Sequence, residues 1–128
     1  MLKYLSYFNI FFGLVSFVII KGNGNGNYLD LITFIPPILF NWLTLFHLIK
    51  HNLRFDKWHL YVGYLSVFLS IISTIVTMKI IFGVFSNTSI YLGPSIYLFL
   101  ARQLFDISII FQFIIALKEN KKILSRSN

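Results

Sequence analysis

The sequence predicts an all-α integral membrane protein whose four transmembrane helices form two hairpins, with the N- and C-termini in the cytoplasm. Of the 128 residues, 57% are hydrophobic and 12% are charged, whereas a soluble domain carries about 25% charged residues. The hydrophobic residues also come in four long runs, each close to the ~20 residues that cross a bilayer as a helix. These runs lack the polar–apolar alternation of membrane strands, so helices are expected, because they pair their own backbone groups.

The predicted spans belong to a single four-helix transmembrane domain, residues 1–128, and cover about 4–20, 28–49, 58–80 and 92–117. The polar stretch KGNGNGN, which begins at Lys21, separates the first two spans, and SNTS, which begins at Ser86, separates the last two. Short connections favour antiparallel neighbours. The chain is therefore expected to fold as two hairpins, joined by the basic stretch KHNLRFDK.

The positions of lysine and arginine predict the orientation. With the N-terminus inside, the inner side would hold eight basic residues and the outer side two. The inner set is Lys3, Lys50, Arg54, Lys57, Lys118, Lys121, Lys122 and Arg126, and the outer set is Lys21 and Lys79. Cytoplasmic loops carry such an excess. The net charge of +7 then reflects the orientation of the chain in the membrane. We therefore expect the protein to lie in the lipid bilayer of a plasma (inner) membrane, and we expect no nucleic-acid partner.

Arg102 and Asp106 are opposite charges four residues apart inside the fourth apolar run. Each charge costs about 2.5–3.5 kcal/mol at the centre of a membrane helix. Residues i and i+4 are neighbours on a helix, so the two can pair and should face protein. The pair has two interpretations: a salt bridge that locks helices or subunits together, or a site for an ion, a proton or an anion.

The third span carries a row of small and hydroxyl residues at spacings of three and four, which places them on one helical face. They are Gly63, Ser66, Ser70, Ser73 and Thr77. Small residues let membrane helices approach closely, and hydroxyls can bond across the contact. This face is interpreted as a packing seam, with the wall of a water-filled path as the alternative.

The second span contains Pro36 and Pro37, which lack the N–H of other residues, with Asn41 one turn later. Two prolines are expected to bend or break the helix. Irregular backbone is tolerated at membrane depth where it faces protein or a cavity. These residues therefore predict either a simple bend with an interhelical amide bond or a binding role.

His47, His51 and His59 cluster near the junction of the second and third spans and could supply three metal ligands. Asp56 is the one carboxylate nearby, so interfacial histidines without a metal are the favoured interpretation. The chain has no cysteine, which excludes disulfides and thiolate sites. No cofactor is expected.

The residues contain no hydrolase constellation, paired carboxylates or nucleotide motif, so an enzyme is not expected. Four short spans fill their own interior. The leading hypothesis is therefore an oligomeric channel or pore, in which Arg102, Asp106 and the polar face of the third span line the interface between copies. A homo-oligomer or a larger membrane complex is the expected assembly. The alternatives are an accessory or immunity-type protein that docks on another membrane protein, and a small transporter.

Overall fold

The computed structural model describes residues 1–22, 28–50, 55–86 and 95–125. These residues form four helices, α1 (Leu2–Gly22), α2 (Tyr28–Lys50), α3 (Lys57–Ser86) and α4 (Ser95–Leu124). Each is long and apolar enough to cross a membrane, which confirms the prediction of an all-helical chain with four helices of spanning length. The predicted start of the fourth span, at about residue 92, lies outside the described residues.

The four helices pack in a closed ring. α1 contacts α2, α2 contacts α3, α3 contacts α4, and α4 returns to α1. Leu2, Phe55 and Ala116 belong to one buried cluster, which places the start of α1, the residues before α3 and the last part of α4 at one end of the bundle. We refer to this end as the Leu2 end.

Polar and apolar side chains are distributed as in a membrane protein. Phe11 and Phe68 are 69% and 60% exposed on the outer surface, whereas Asn9, Asp106 and Gln112 are fully buried. Lipid can surround the outer phenylalanines, and polar groups in membrane helices normally face the protein interior. The interior of the bundle is therefore where chemistry can occur.

α2 remains helical through Pro36 and Pro37, so the expected break does not occur. Helix-interior prolines are tolerated in membrane helices because neighbouring groups satisfy the backbone atoms that they free. Asn41 Nδ2 donates to the Pro37 carbonyl of its own helix at 2.7 Å. The bond to another helix that we expected from this amide is thus replaced by a bond within α2.

Gly63 marks the closest approach of the aromatic core to α3. A Cβ added there would overlap the Phe113 ring and would lie 2.9 Å from Cε2 of Phe40. Only glycine leaves room for both rings, which belong to the cluster at the Leu2 end. The interior of the bundle near the Leu2 end is therefore filled by aromatic side chains of α2 and α4 that pack against α3.

Candidate intramembrane polar site

Arg102 and Asp106 form an ion pair inside the bundle. The Arg102 Nε–H is shared between Asp106 Oδ2, at 3.1 Å, and Ser73 Oγ of α3, at 3.0 Å. The side chain of Asp106 is completely buried and that of Arg102 is 11% exposed. The pair thus faces protein, as the sequence predicts for charges at this depth.

Three helices build the surroundings of this pair. Ser70 and Ser73 of α3 lie beside the Asp106 carboxylate. Phe34 of α2 lies under the guanidinium, with Arg102 Cζ 4.0 Å from the ring centroid, a distance at which the ring face attracts a cation. Contacts from α2 and α3 therefore hold two side chains that both come from α4.

Several polar atoms at this site have no hydrogen-bond partner among the described residues. At the ion pair these buried atoms are Arg102 Nη2, Asp106 Oδ1 and the Oγ of Ser70, which lies beside the carboxylate. Elsewhere on α3 and α4, Thr74 Oγ1 and both amide atoms of Gln103 are in the same position. Buried polar groups in proteins are normally bonded, and each one left unsatisfied costs about 1–3 kcal/mol. The ion pair therefore keeps one spare acceptor and one spare donor that water or a small ion can use.

A second polar cluster, between α1 and α4, differs in this respect. Ser108 Oγ donates to Asn9 Oδ1 at 2.7 Å, and Asn9 Nδ2 donates to Gln112 Oε1 at 2.5 Å. Gln112 Nε2 donates to Ser6 Oγ at 2.7 Å, and Ser6 Oγ donates to the Leu2 carbonyl at 3.0 Å. Every side-chain polar atom of this α1–α4 amide network has a partner, which suits a structural clamp.

The α1–α4 amide network is not among the sites predicted from the sequence. Ser6 and Asn9 are three residues apart in one apolar run, and Ser108 and Gln112 are four apart in another. Paired polar residues at helical spacing within apolar spans are the signal that could have revealed it. Their partners could not be assigned from spacing alone, because the two helices lie at opposite ends of the chain.

The polar face of α3 points into the bundle. Gly63, Ser66, Ser70 and Thr77 are buried, and Ser73 is half-buried. The structure brings two of these residues, Ser70 and Ser73, to the ion pair. Ser66 Oγ donates to the Val62 carbonyl of its own helix at 2.7 Å. One face thus combines close packing at Gly63 with polar contacts further along.

His47 and His59 stack on each other, with ring centroids 5.0 Å apart. His59 Nε2 lies 2.9 Å from Thr44 Oγ1, and His47 Nε2 lies 3.7 Å from Asp56 Oδ2. The third candidate, His51, lies outside the described residues. Within the described ranges, no group of three histidine, cysteine or acidic side chains is arranged to hold a metal ion.

No family model, curated protein or solved structure matches this chain.

The ion-pair site combines a fixed cation, a buried carboxylate and flanking hydroxyls, all screened from lipid by helices. Asp106 can accept a proton or a hydrogen bond through Oδ1, and Arg102 can donate through Nη2. Because the charges of the two side chains cancel, neither sign of charge is excluded from the site by a large net repulsion. Such a site can bind and release a small ion or water at membrane depth.

Proposed function

We propose that this protein is a non-enzymatic membrane protein that passes a small ion through the interior of its four-helix bundle. The Arg102–Asp106 pair is the site that the ion must pass. One observation carries the proposal: the pair is buried and screened from lipid, yet Asp106 Oδ1 and Arg102 Nη2 have no partner in the described part of the chain. A buried ion pair recovers its desolvation cost only when its remaining polar atoms are also satisfied.

The geometry supports a path within each copy. The pore hypothesis drawn from the sequence requires the pair and the polar face of α3 to line an interface between copies. Asp106, Ser66 and Ser70 are fully buried in a single copy, so a path that uses them runs inside the chain. In an oligomer, each copy would then contribute one path. The channel and small-transporter hypotheses share this site.

We also propose that the Leu2 end faces the cytoplasm, in a plasma (inner) membrane and with the spans arranged as two hairpins. The excess of basic residues on that side supports this orientation. Because the chain has no cysteine, single cysteines can report it. A cysteine at exposed Lys121 should react with an impermeant thiol reagent only after the cells are opened. A cysteine at exposed Lys79 should react in intact cells, and the reverse pattern would overturn the orientation.

Ion flux in vesicles tests the proposed function. The purified chain is reconstituted into liposomes, and gradients of H⁺, Na⁺, K⁺ and Cl⁻ are applied one at a time. Asp106→Asn changes the carboxylate to an amide of nearly the same shape. Glu119→Gln makes the same chemical change at half-buried Glu119, later on the same helix, and serves as the matched control.

We expect the wild-type chain and Glu119→Gln to dissipate at least one gradient, and Asp106→Asn to fall to the rate of protein-free vesicles. Circular dichroism and gel filtration establish that the variants are folded. Full flux in a folded Asp106→Asn protein would overturn the role of the pair. Absence of flux for every ion in the wild-type protein would overturn the transport function and favour the accessory-protein hypothesis.

A further inference from the structure

At the Leu2 end, α2 and α3 bury two imidazoles side by side, away from the ion-pair site. His47 and His59 are 5% and 1% exposed, and their rings are inclined by only 18°. Asp56 lies 3.7 Å from His47 Nε2, and its side chain is 77% exposed. The stacked pair is thus connected, through one carboxylate, to the surface of the bundle.

We assign the tautomer of neutral His59 from the hydrogen bonds of Thr44. The Thr44 hydroxyl donates its only hydrogen to the Phe40 carbonyl at 2.8 Å. It must therefore accept from His59 Nε2, 2.9 Å away. In the neutral ring the lone pair then belongs to Nδ1. This atom is buried and has no hydrogen-bond partner among the residues that the structure describes.

His59 begins the same face of α3 that ends at the ion pair. Continuing at spacings of four and three, this face passes Gly63, Ser66 and Ser70 and reaches Ser73, which accepts from Arg102. At 1.5 Å per residue, the helix rises about 21 Å from His59 to Ser73. Along this row Gly63 is the one position without a polar side chain.

Charged groups from the neighbouring elements define the setting of the histidine pair. Asp56 precedes α3, and Lys50 ends α2 with its Nζ 4.9 Å from the centroid of Phe46, whose ring packs edge-on against His47. From α4 the contact is neutral, since Asn120 Oδ1 accepts from the Phe55 backbone N–H. Among the described contacts, Asp56 therefore faces the pair directly, and Lys50 is separated from it by the Phe46 ring.

We propose that the translocated ion is a proton, and that the stacked His47–His59 pair takes it up and releases it at the Leu2 end. This inference rests on the proposed function. The row contains imidazole, hydroxyl and carboxylate groups, which accept and donate protons. A hard metal cation needs a shell of several oxygen ligands, whereas the described part of the ion pair offers it one unpartnered carboxylate oxygen. An anion likewise finds one unpartnered guanidinium nitrogen among the described atoms of the pair.

The proton step requires no co-reactant. A hydronium ion loses a proton to His59 Nδ1, a new N–H bond forms, and water is left behind. The imidazolium becomes neutral again when Nδ1 returns this proton to a water molecule, which becomes hydronium, while the Nε2–H stays hydrogen-bonded to Thr44. The Phe40 and Phe113 rings at Gly63 separate this station from the ion pair, so passage requires these rings to move.

Proton flux in the liposome assay tests the inference, with an internal pH dye and a membrane potential imposed by K⁺ and valinomycin. The tested variants are His59→Gln and His47→Gln. Glu119→Gln is the control, because it removes a titratable group from the same end of the bundle without touching the pair. We expect vesicles with the wild-type protein and with Glu119→Gln to acidify at the same rate. Vesicles with His59→Gln should acidify no faster than protein-free vesicles, and vesicles with His47→Gln should acidify more slowly than those with the wild-type protein.

A measurement on the wild-type protein does not depend on the folding of a variant. In bilayers, ¹⁵N NMR of labelled histidine should show His59 as the Nε2–H tautomer at alkaline pH, with Nδ1 gaining the proton on acidification. The opposite tautomer, or full proton flux in folded His59→Gln, would overturn the role of His59. Asp106-dependent flux of Na⁺, K⁺ or Cl⁻ without protons would overturn this inference and leave the proposed function standing. Absence of all flux would overturn both.

Discussion

Asp106 accepts a hydrogen bond from Arg102 one helical turn earlier, and both partners belong to α4. A pair at i and i+4 can form on an isolated helix, so it does not by itself join one helix to another. The contacts that cross between helices are those of Arg102 with Ser73 on α3 and with the Phe34 ring on α2. The bond between Arg102 and Asp106 thus lies within α4, and the contacts with Ser73 and Phe34 connect the pair to the other helices.

Removing one charge of the pair should destabilise the protein more than removing both. Arg102→Leu or Asp106→Leu alone leaves an uncompensated buried charge, which costs about 3–5 kcal/mol. The double variant leaves none, and it should be closer to wild type in free energy of unfolding in detergent micelles. All three variants should lose ion flux. Additive losses of stability would show that the two charges are not coupled.

The Phe34 ring should stabilise the guanidinium of Arg102 beyond its own packing. Phe34→Leu keeps an apolar side chain but removes the ring face, and we expect a loss of about 0.5–2 kcal/mol in the free energy of unfolding. Phe11→Leu is the matched control, because the Phe11 side chain is 69% exposed on the outer surface. In an Arg102→Leu background the effect of Phe34→Leu should shrink. An equal effect in both backgrounds would assign it to packing alone.

The α1–α4 amide network should affect stability without affecting ion flux. Gln112→Leu removes the partner of Asn9 Nδ2 and leaves Ser6 Oγ with only its bond to the Leu2 carbonyl. A buried group left unsatisfied costs about 1–3 kcal/mol. Adding Asn9→Leu should restore part of the loss. Flux per folded molecule, measured in liposomes, should match wild type. A stable Gln112→Leu protein without flux would place this network on the ion path.

Gly63→Ala should destabilise the bundle, because the added methyl group overlaps the Phe113 ring. Overpacking of this kind typically costs about 1–3 kcal/mol. Gly83→Ala is the control, since a Cβ at Gly83 meets no atom within 4 Å. Phe113→Ala leaves space beside Gly63, which the methyl group of Gly63→Ala can fill. In thermal unfolding, the double variant should therefore be more stable than the Phe113→Ala protein. If Gly63→Ala is as stable as wild type, the aromatic rings do not fill the interior there.

The sequence determined the features that depend on local length and spacing. The helices Leu2–Gly22 and Tyr28–Lys50 lie within two residues of the predicted spans, because an apolar run of bilayer length has few alternatives in hydrocarbon. The other two helices continue six and seven residues beyond the predicted ends, to Ser86 and Leu124. The contact between Arg102 and Asp106 was also predictable, because helix geometry places residues i and i+4 next to each other. Of the two outcomes predicted for α2, a bend or a break, the break does not occur, because α2 remains helical through Pro36 and Pro37.

The tertiary structure decided which polar groups meet across helices. Asn9, Asn41 and Gln112 are all amides in apolar runs, yet Asn9 and Gln112 bond to each other while Asn41 bonds within α2. Spacing likewise could not assign Thr44 to His59 or Phe34 to Arg102. The reason is that each such contact depends on how two helices are rotated and shifted against each other. Packing of the whole bundle sets that arrangement, and no single span encodes it.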